Sequence, residues 1–103
     1  MTTQLTPEQE RLYFEYANQI SFELRSFNKN DVLSKYRTIV ANLYNRKDDE
    51  WKKGLQINES KLIEELGEER GRIEFQKQIS IIKENIQELD DKITVINFAL
   101  NRN

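Results

Sequence analysis

The chain has 103 residues, a third of them charged, with a net charge of −2 at pH 7 and neither cysteine nor histidine. This composition excludes disulfides, thiol and imidazole catalysis, and metal sites built from those two side chains. The nearly balanced charge also provides no general field to attract nucleic acid or an anionic membrane. With only three glycines and one proline, the composition is typical of a helical bundle or coiled coil. We therefore expect a single all-α domain over residues 1–103.

The N-terminal sequence carries no signal-peptide pattern, and no apolar run approaches membrane-spanning length. We therefore expect a soluble, cytoplasmic protein without a leader. By the same reasoning we expect neither nucleic acid nor a membrane as partner, and no cofactor.

A strong helix start stands at Thr6-Pro7-Glu8-Gln9. The Thr6 side chain is suited to cap the helix, Pro7 to occupy its first position, and Gln9 to complete a capping box. The helix is predicted to end near Phe27, where the helical spacing of its apolar residues stops.

A polar turn at 28–31 separates this helix from a second one predicted over 31–46, and the short linker favours an antiparallel helical hairpin over 6–46. The inward residues of the second helix are predicted to be Val32, Leu33, Tyr36, Ile39, Val40, Leu43 and Tyr44. Because Gly54 and Asn58 weaken a helix locally, a bend is predicted within 47–59.

The last segment, 60–101, is predicted to be one long helix with a heptad repeat. Its apolar residues recur at gaps that alternate between four and three, and we call this set the α4 stripe: Phe75, Ile79, Ile82, Ile86, Leu89, Ile93, Ile96 and Leu100. Another helix buries such a stripe best. Gly67 and Gly71 indicate a kink near its start. The hairpin would cover only half of so long a helix. The stripe therefore predicts a coiled-coil or helical-bundle homodimer; it leaves open whether the helices pair parallel or antiparallel and whether the oligomer is larger than a dimer.

One carboxylate pattern offers a catalytic interpretation. Glu65-x-x-Glu68, followed after 19 residues by Glu88-x-x-Asp91, resembles the motif of the all-alpha NTP pyrophosphatases. The resemblance implies four carboxylates that hold magnesium for attack on a nucleotide. The alternative is a solvated acidic face, in which two of these residues pair with a basic residue four positions later. We favour the acidic face and expect no enzymatic activity.

The segment Trp51-Lys52-Lys53-Gly54 is similar to the WXG100 secretion proteins, helical hairpins with Trp-x-Gly at the bend. The resemblance implies a secreted or chaperone-type hairpin. Here the spacing is one residue longer, and the family's C-terminal signal is absent. The favoured alternative is that Trp51 simply anchors a bend.

Aromatic residues also widen the apolar face of the first helix beyond what one neighbouring helix would cover. Phe14 and Phe22, with Trp51, are therefore predicted as a surface for another protein. The helices carry more apolar surface than the chain itself can bury, and the sequence has no recognisable set of catalytic residues. Together these features favour a non-catalytic protein–protein interaction module: a small adaptor, inhibitor or regulator that acts as a homo-oligomer.

Overall fold

In the computed structural model, which describes residues 5–102, four α-helices account for the regular structure and that range contains no strand. They are α1 (Pro7–Ser26), α2 (Lys29–Gln56), α3 (Glu59–Leu66) and α4 (Glu68–Arg102). The predicted all-α class is confirmed. The molecule is elongated, with extents of 59 × 25 × 23 Å.

The predicted start of α1 is confirmed atom by atom. The Gln9 backbone N–H donates to Thr6 Oγ1 at 3.2 Å, and the Thr6 N–H donates to Gln9 Oε1 at 3.1 Å, which completes the capping box. Pro7 opens the helix, where its missing N–H costs nothing.

Helix α2 begins two residues earlier than predicted and ends ten residues later. It begins at Lys29, where Asn28 accepts from the backbone N–H groups of Asn30 and Asp31 at 2.9 and 3.3 Å. It then runs through most of the segment predicted to bend, 47–59, and ends at Gln56. The predicted end of this helix at 46 is therefore wrong, whereas the break at residues 57–58 falls within the segment predicted to bend.

Contacts with α4 explain why the helix continues. Lys47 Nζ is 2.5 Å from Asp90 Oδ1, the Asn85 amide donates to Glu50 at 3.3 Å, and Gly54 faces the Ile82 side chain. A glycine in a helix costs only about 1 kcal/mol relative to alanine. Tertiary contacts of this kind override so small a local preference.

The predicted long helix over 60–101 is in fact two helices. Asn58 caps α3 by accepting from the Lys61 N–H at 3.1 Å, but α3 ends after eight residues at Gly67, whose φ of +93° is open to glycine alone. The chain then turns, and α3 packs back on α4. At Gly71 an added Cβ would lie 2.5 Å from the Ile63 Cα atom. The expected kink is thus a turn followed by a close backbone approach.

Helix α4 is the axis on which the other three pack. Helix α2 runs antiparallel to it, since Lys47 meets Asp90 whereas Gly54 meets Ile82. Helix α1 runs parallel to it and packs on its C-terminal half, where the rings of Tyr13 and Phe98 meet edge to face at 5.4 Å. The N-terminal half of α4 contacts α3.

The core therefore lies at one end, which we call the three-helix end: α1, the first half of α2, and α4 from Leu89 onward. Its buried cluster comprises Ile20, Val32, Tyr36, Val40, Leu43, Leu89, Ile93, Ile96 and Ala99. At the other end, which we call the two-helix end, α3 packs against the N-terminal part of α4, and among residues 68–81 only Gly71 is buried.

Candidate interaction surface

The α4 stripe, predicted for self-association, is divided between two environments. Leu89, Ile93 and Ile96 are buried against α1 and α2 of the same chain. The remaining members are only half-buried: Phe75, Ile79, Ile82, Ile86 and Leu100. While the chain keeps this fold, the C-terminal half of the stripe is occupied by its own helices.

A polar cluster holds α1 to α2 beside the core. The fully buried Tyr36 donates its hydroxyl to the Glu23 carboxylate, which also pairs with Lys35. The hydrogen bonds from Lys35 and then from Tyr36 lower the pKa of Glu23. Burial, followed by the hydrogen bond to Glu23, raises the pKa of Tyr36. The cluster stabilises the packing of α1 on α2, because each polar group in it pairs with another group of the cluster.

Asp91 is buried and joins α1 to α4. Its Oδ1 accepts from the side-chain amides of Gln9 and Gln87, each at 2.9 Å. Gln9 therefore both completes the cap of α1 and anchors that helix to α4. The capping role was readable from the sequence, but the long-range bond to Asp91 had no sequence signal.

The four carboxylates of the pyrophosphatase resemblance do not come together. Glu68 and Glu88 lie on one helix, about 30 Å apart at 1.5 Å per residue. Glu68 pairs with Arg72 at 3.0 Å and Glu88 with Lys92 at 3.6 Å, as the acidic-face interpretation expected. Between residues 5 and 102 no group of three Asp or Glu side chains is placed to hold a metal ion.

Trp51 and Gly54 lie inside α2 rather than at a bend. The resemblance to the secretion proteins needs the Trp-x-Gly element at the turn between two helices. Here the helix continues for two residues past Gly54. The interpretation of Trp51 as the anchor of a bend is therefore also wrong.

The three aromatic residues predicted as a partner surface are all exposed, but not as one patch. Phe14 is 69% and Phe22 62% exposed on α1, and Trp51 is 56% exposed on α2. Trp51 therefore lies on a different helix from the other two.

Trp51 belongs instead to a row on the outer face of α2, which we call the outer seam: Tyr44, Asp48, Trp51 and Leu55. The gaps of four, three and four place these residues on one stripe. All four are exposed, and Leu55 is 77% exposed. Tyr44 was predicted to point inward, which is wrong. The seam was hidden in the sequence because a bend was expected in its middle.

In the part of the chain that the structure describes, no helix combines the length and apolar character needed to cross a membrane. Comparison of the chain with protein-family models, curated proteins and solved structures finds no match. The functional argument therefore rests on the chain's own surface.

Proposed function

We propose that the chain is a non-catalytic protein–protein interaction module that works as a helical-bundle homodimer, in the role of a small adaptor, inhibitor or regulator. The observation that carries the proposal is the amount of surface the chain leaves exposed. A compact monomer of 12.4 kDa is expected to expose about 6,100 Å². This chain exposes 7815 Å².

The elongated shape accounts for the excess. The radius of gyration is 18.6 Å, whereas a compact domain of this length has about 13 Å. The exposed surface includes large apolar side chains on all four helices: Phe14, Phe22, Tyr44, Trp51, Leu55, Leu66, Ile73 and Ile81. Exposed apolar surface on this scale is typical of proteins that bury it against a partner.

Light scattering coupled to gel filtration tests the self-association. We expect twice the 12.4 kDa mass at micromolar concentration. A monomer under those conditions would contradict the homodimer. Charge substitution at Ile93 is not a suitable probe of assembly, because Ile93 lies in the chain's own core.

The adaptor role is tested separately by affinity retrieval with the wild type and with a double variant, Phe14→Asp and Phe22→Asp. Both side chains are exposed on α1, so the fold is expected to survive, as circular dichroism would check. We expect a specific partner that the double variant loses. Retrieval of the same proteins by both forms would show that Phe14 and Phe22 on α1 do not form the partner surface.

The absence of catalysis is tested by incubating the pure protein with a nucleotide panel and magnesium. We expect no pyrophosphate release above buffer. Release that disappears on Glu68→Gln or Asp91→Asn would revive the pyrophosphatase interpretation.

A further inference from the structure

Helices α3 and α4 are joined by a single residue, Gly67, and helical hydrogen bonds reach it from both sides. The Gly67 N–H donates to the Ile63 carbonyl, and the Gly71 N–H donates to the Gly67 carbonyl, each at 2.8 Å. Both bonds have the four-residue spacing of an α-helix. A continuous helix through this point would be completed by bonds from the N–H groups of residues 68–70 to the carbonyls of residues 64–66.

The backbone conformation of Gly67 interrupts the helix at this point. Its φ of +93° is accessible to glycine but disfavoured for other residues. The residues on either side are strong helix formers: Leu66, Glu68, Glu69 and Arg70. Gly67 is therefore a hinge between two forms, the closed form, in which α3 turns back on α4, and an open form, in which the two are one helix.

A single chain could not adopt the open form and keep its other contacts. In one helix over 59–102, residue 59 would lie about 35 Å from Ile82 at 1.5 Å per residue. Gly54 of α2 lies against the Ile82 side chain, and the chain from Gly54 to residue 59 spans at most about 18 Å. Helix α2 would therefore have to leave its own α4.

We propose that the homodimer forms by domain swapping through this hinge: α3 and α4 become one helix, and α1, α2 and α3 of each chain pack on α4 of a second copy. This inference rests on the proposed homodimer and names the surfaces that form it. Each contact that α4 makes with the other helices of its own chain is then made with those of the partner. Exchange of identical elements needs no new interface apart from the hinge.

The contacts of the closed form select a second copy as the occupant of α4. Lys47 Nζ lies 2.5 Å from Asp90 Oδ1, and the Gln9 amide donates to Asp91 Oδ1 at 2.9 Å. In the swapped dimer each pair forms twice, between one chain and the other. A second copy is the complementary partner because it carries both halves of every pair.

The packing of α3 on α4 places the two-fold axis at the hinge. A Cβ added at Gly71 would lie 2.5 Å from the Ile63 Cα atom, which shows how closely the two backbones approach. Residues 63 and 71 are four positions on either side of Gly67. Two open helices that cross antiparallel with Gly67 at the axis therefore reproduce this approach twice, each time between Gly71 and Ile63 of the partner subunit.

Crosslinking distinguishes the swapped dimer from a dimer of closed chains. Because the chain has no cysteine, Lys47→Cys with Asp90→Cys provides one pair of thiols across the α2–α4 contact. With a short bismaleimide reagent, this double variant is expected to give a covalent dimer on a denaturing gel, since each crosslink joins two chains. The control is Glu88→Cys with Lys92→Cys, whose sites pair along α4 itself, and it is expected to run as a monomer.

The outcomes separate this inference from the homodimer on which it rests. A double variant that is dimeric by light scattering but gives only internally crosslinked monomer on the gel would overturn the swap and keep the homodimer. A wild type that is monomeric at micromolar concentration would overturn both.

Substitution of the hinge glycine tests the cause of the swap. Gly67→Ala disfavours the turn at φ +93° and favours the open helix, and in the described part of the chain its Cβ would meet no atom of a packed neighbour within 4 Å. Because each dimer contains two hinges, the dissociation constant is expected to fall at least about 100-fold. Gly54→Ala, inside α2 in both forms, is the control and is expected to leave the constant unchanged. An unchanged or higher constant for Gly67→Ala would refute the hinge.

Discussion

The two ends of α4 carry the same heptad repeat but have different environments. At the three-helix end, Leu89, Ile93 and Ile96 are at most 6% exposed, because α1 and α2 both pack on them. At the two-helix end, Phe75 and Ile79 stay half-buried, since α3 is a single short helix. An apolar stripe therefore identifies which side of a helix packs against other helices, whereas the number of neighbouring helices determines how much of each side chain is buried.

The difference in burial predicts a difference in free energy of unfolding. Ile96→Ala removes a fully buried side chain and is expected to cost about 3–5 kcal/mol. Ile79→Ala removes a half-buried one and is expected to cost about 1–2 kcal/mol, since less apolar area leaves water there. Urea denaturation followed by circular dichroism measures both. Equal costs would mean that a partner covers the two-helix end as fully as the core.

Substitutions of two glycines, one at the two-helix end and one on α2, sharpen the comparison. Gly71→Ala is expected to destabilise the protein by about 2 kcal/mol, because its Cβ would lie 2.5 Å from backbone atoms of Ile63 and push α3 off α4. Gly54→Ala is the control. Its Cβ would meet Ile82 at an ordinary 3.6 Å, so the gain in helix propensity is expected to stabilise α2 by up to about 1 kcal/mol.

Thermal unfolding measures the two changes with opposite signs. A neutral Gly71→Ala would show that α3 is free to move away from α4, and the two-helix end would then lose its defining contact.

The smallest expected effect concerns carboxylates at the two ends. Hydrogen bonds from Lys35 and Tyr36 lower the pKa of Glu23. A lowered pKa in the folded state stabilises the protein above the ordinary value of 4.5, and this stabilisation disappears as the pH falls through the folded value. Glu23→Gln is therefore expected to cost about 1–2 kcal/mol at pH 7 and much less near pH 3.

Glu68→Gln is the matched control at the two-helix end. Its partner Arg72 and Glu68 itself are both mostly exposed, so the substitution is expected to cost less than about 0.5 kcal/mol at either pH. Denaturation curves at the two pH values provide the test. A pH-independent cost for Glu23→Gln would show that the charge of Glu23 contributes nothing.

Part of the candidate surface was readable from sequence. Phe14, Phe22 and Trp51, which the sequence suggested as a partner surface, are all exposed, and their role as that surface stays a prediction. Tyr44 was misassigned because the outer seam continues across a stretch with weak helix propensity. No local signal shows that α4 supports that stretch through Lys47 and Glu50.

The sequence by itself determined the helical class, the capping box at Thr6 and the side of α4 that faces other helices. These depend on local spacing and on hydrogen bonds between residues three apart, which a linear pattern contains. Only the tertiary structure decided where α2 ends, that Gly67 turns the chain, and which half of the α4 stripe its own helices bury. Those outcomes depend on contacts between different helices, such as Gly71 with Ile63, eight residues apart, and Gln9 with Asp91, 82 residues apart. Contacts of that range outweigh local preferences of about 1 kcal/mol, so the local pattern could not reveal them.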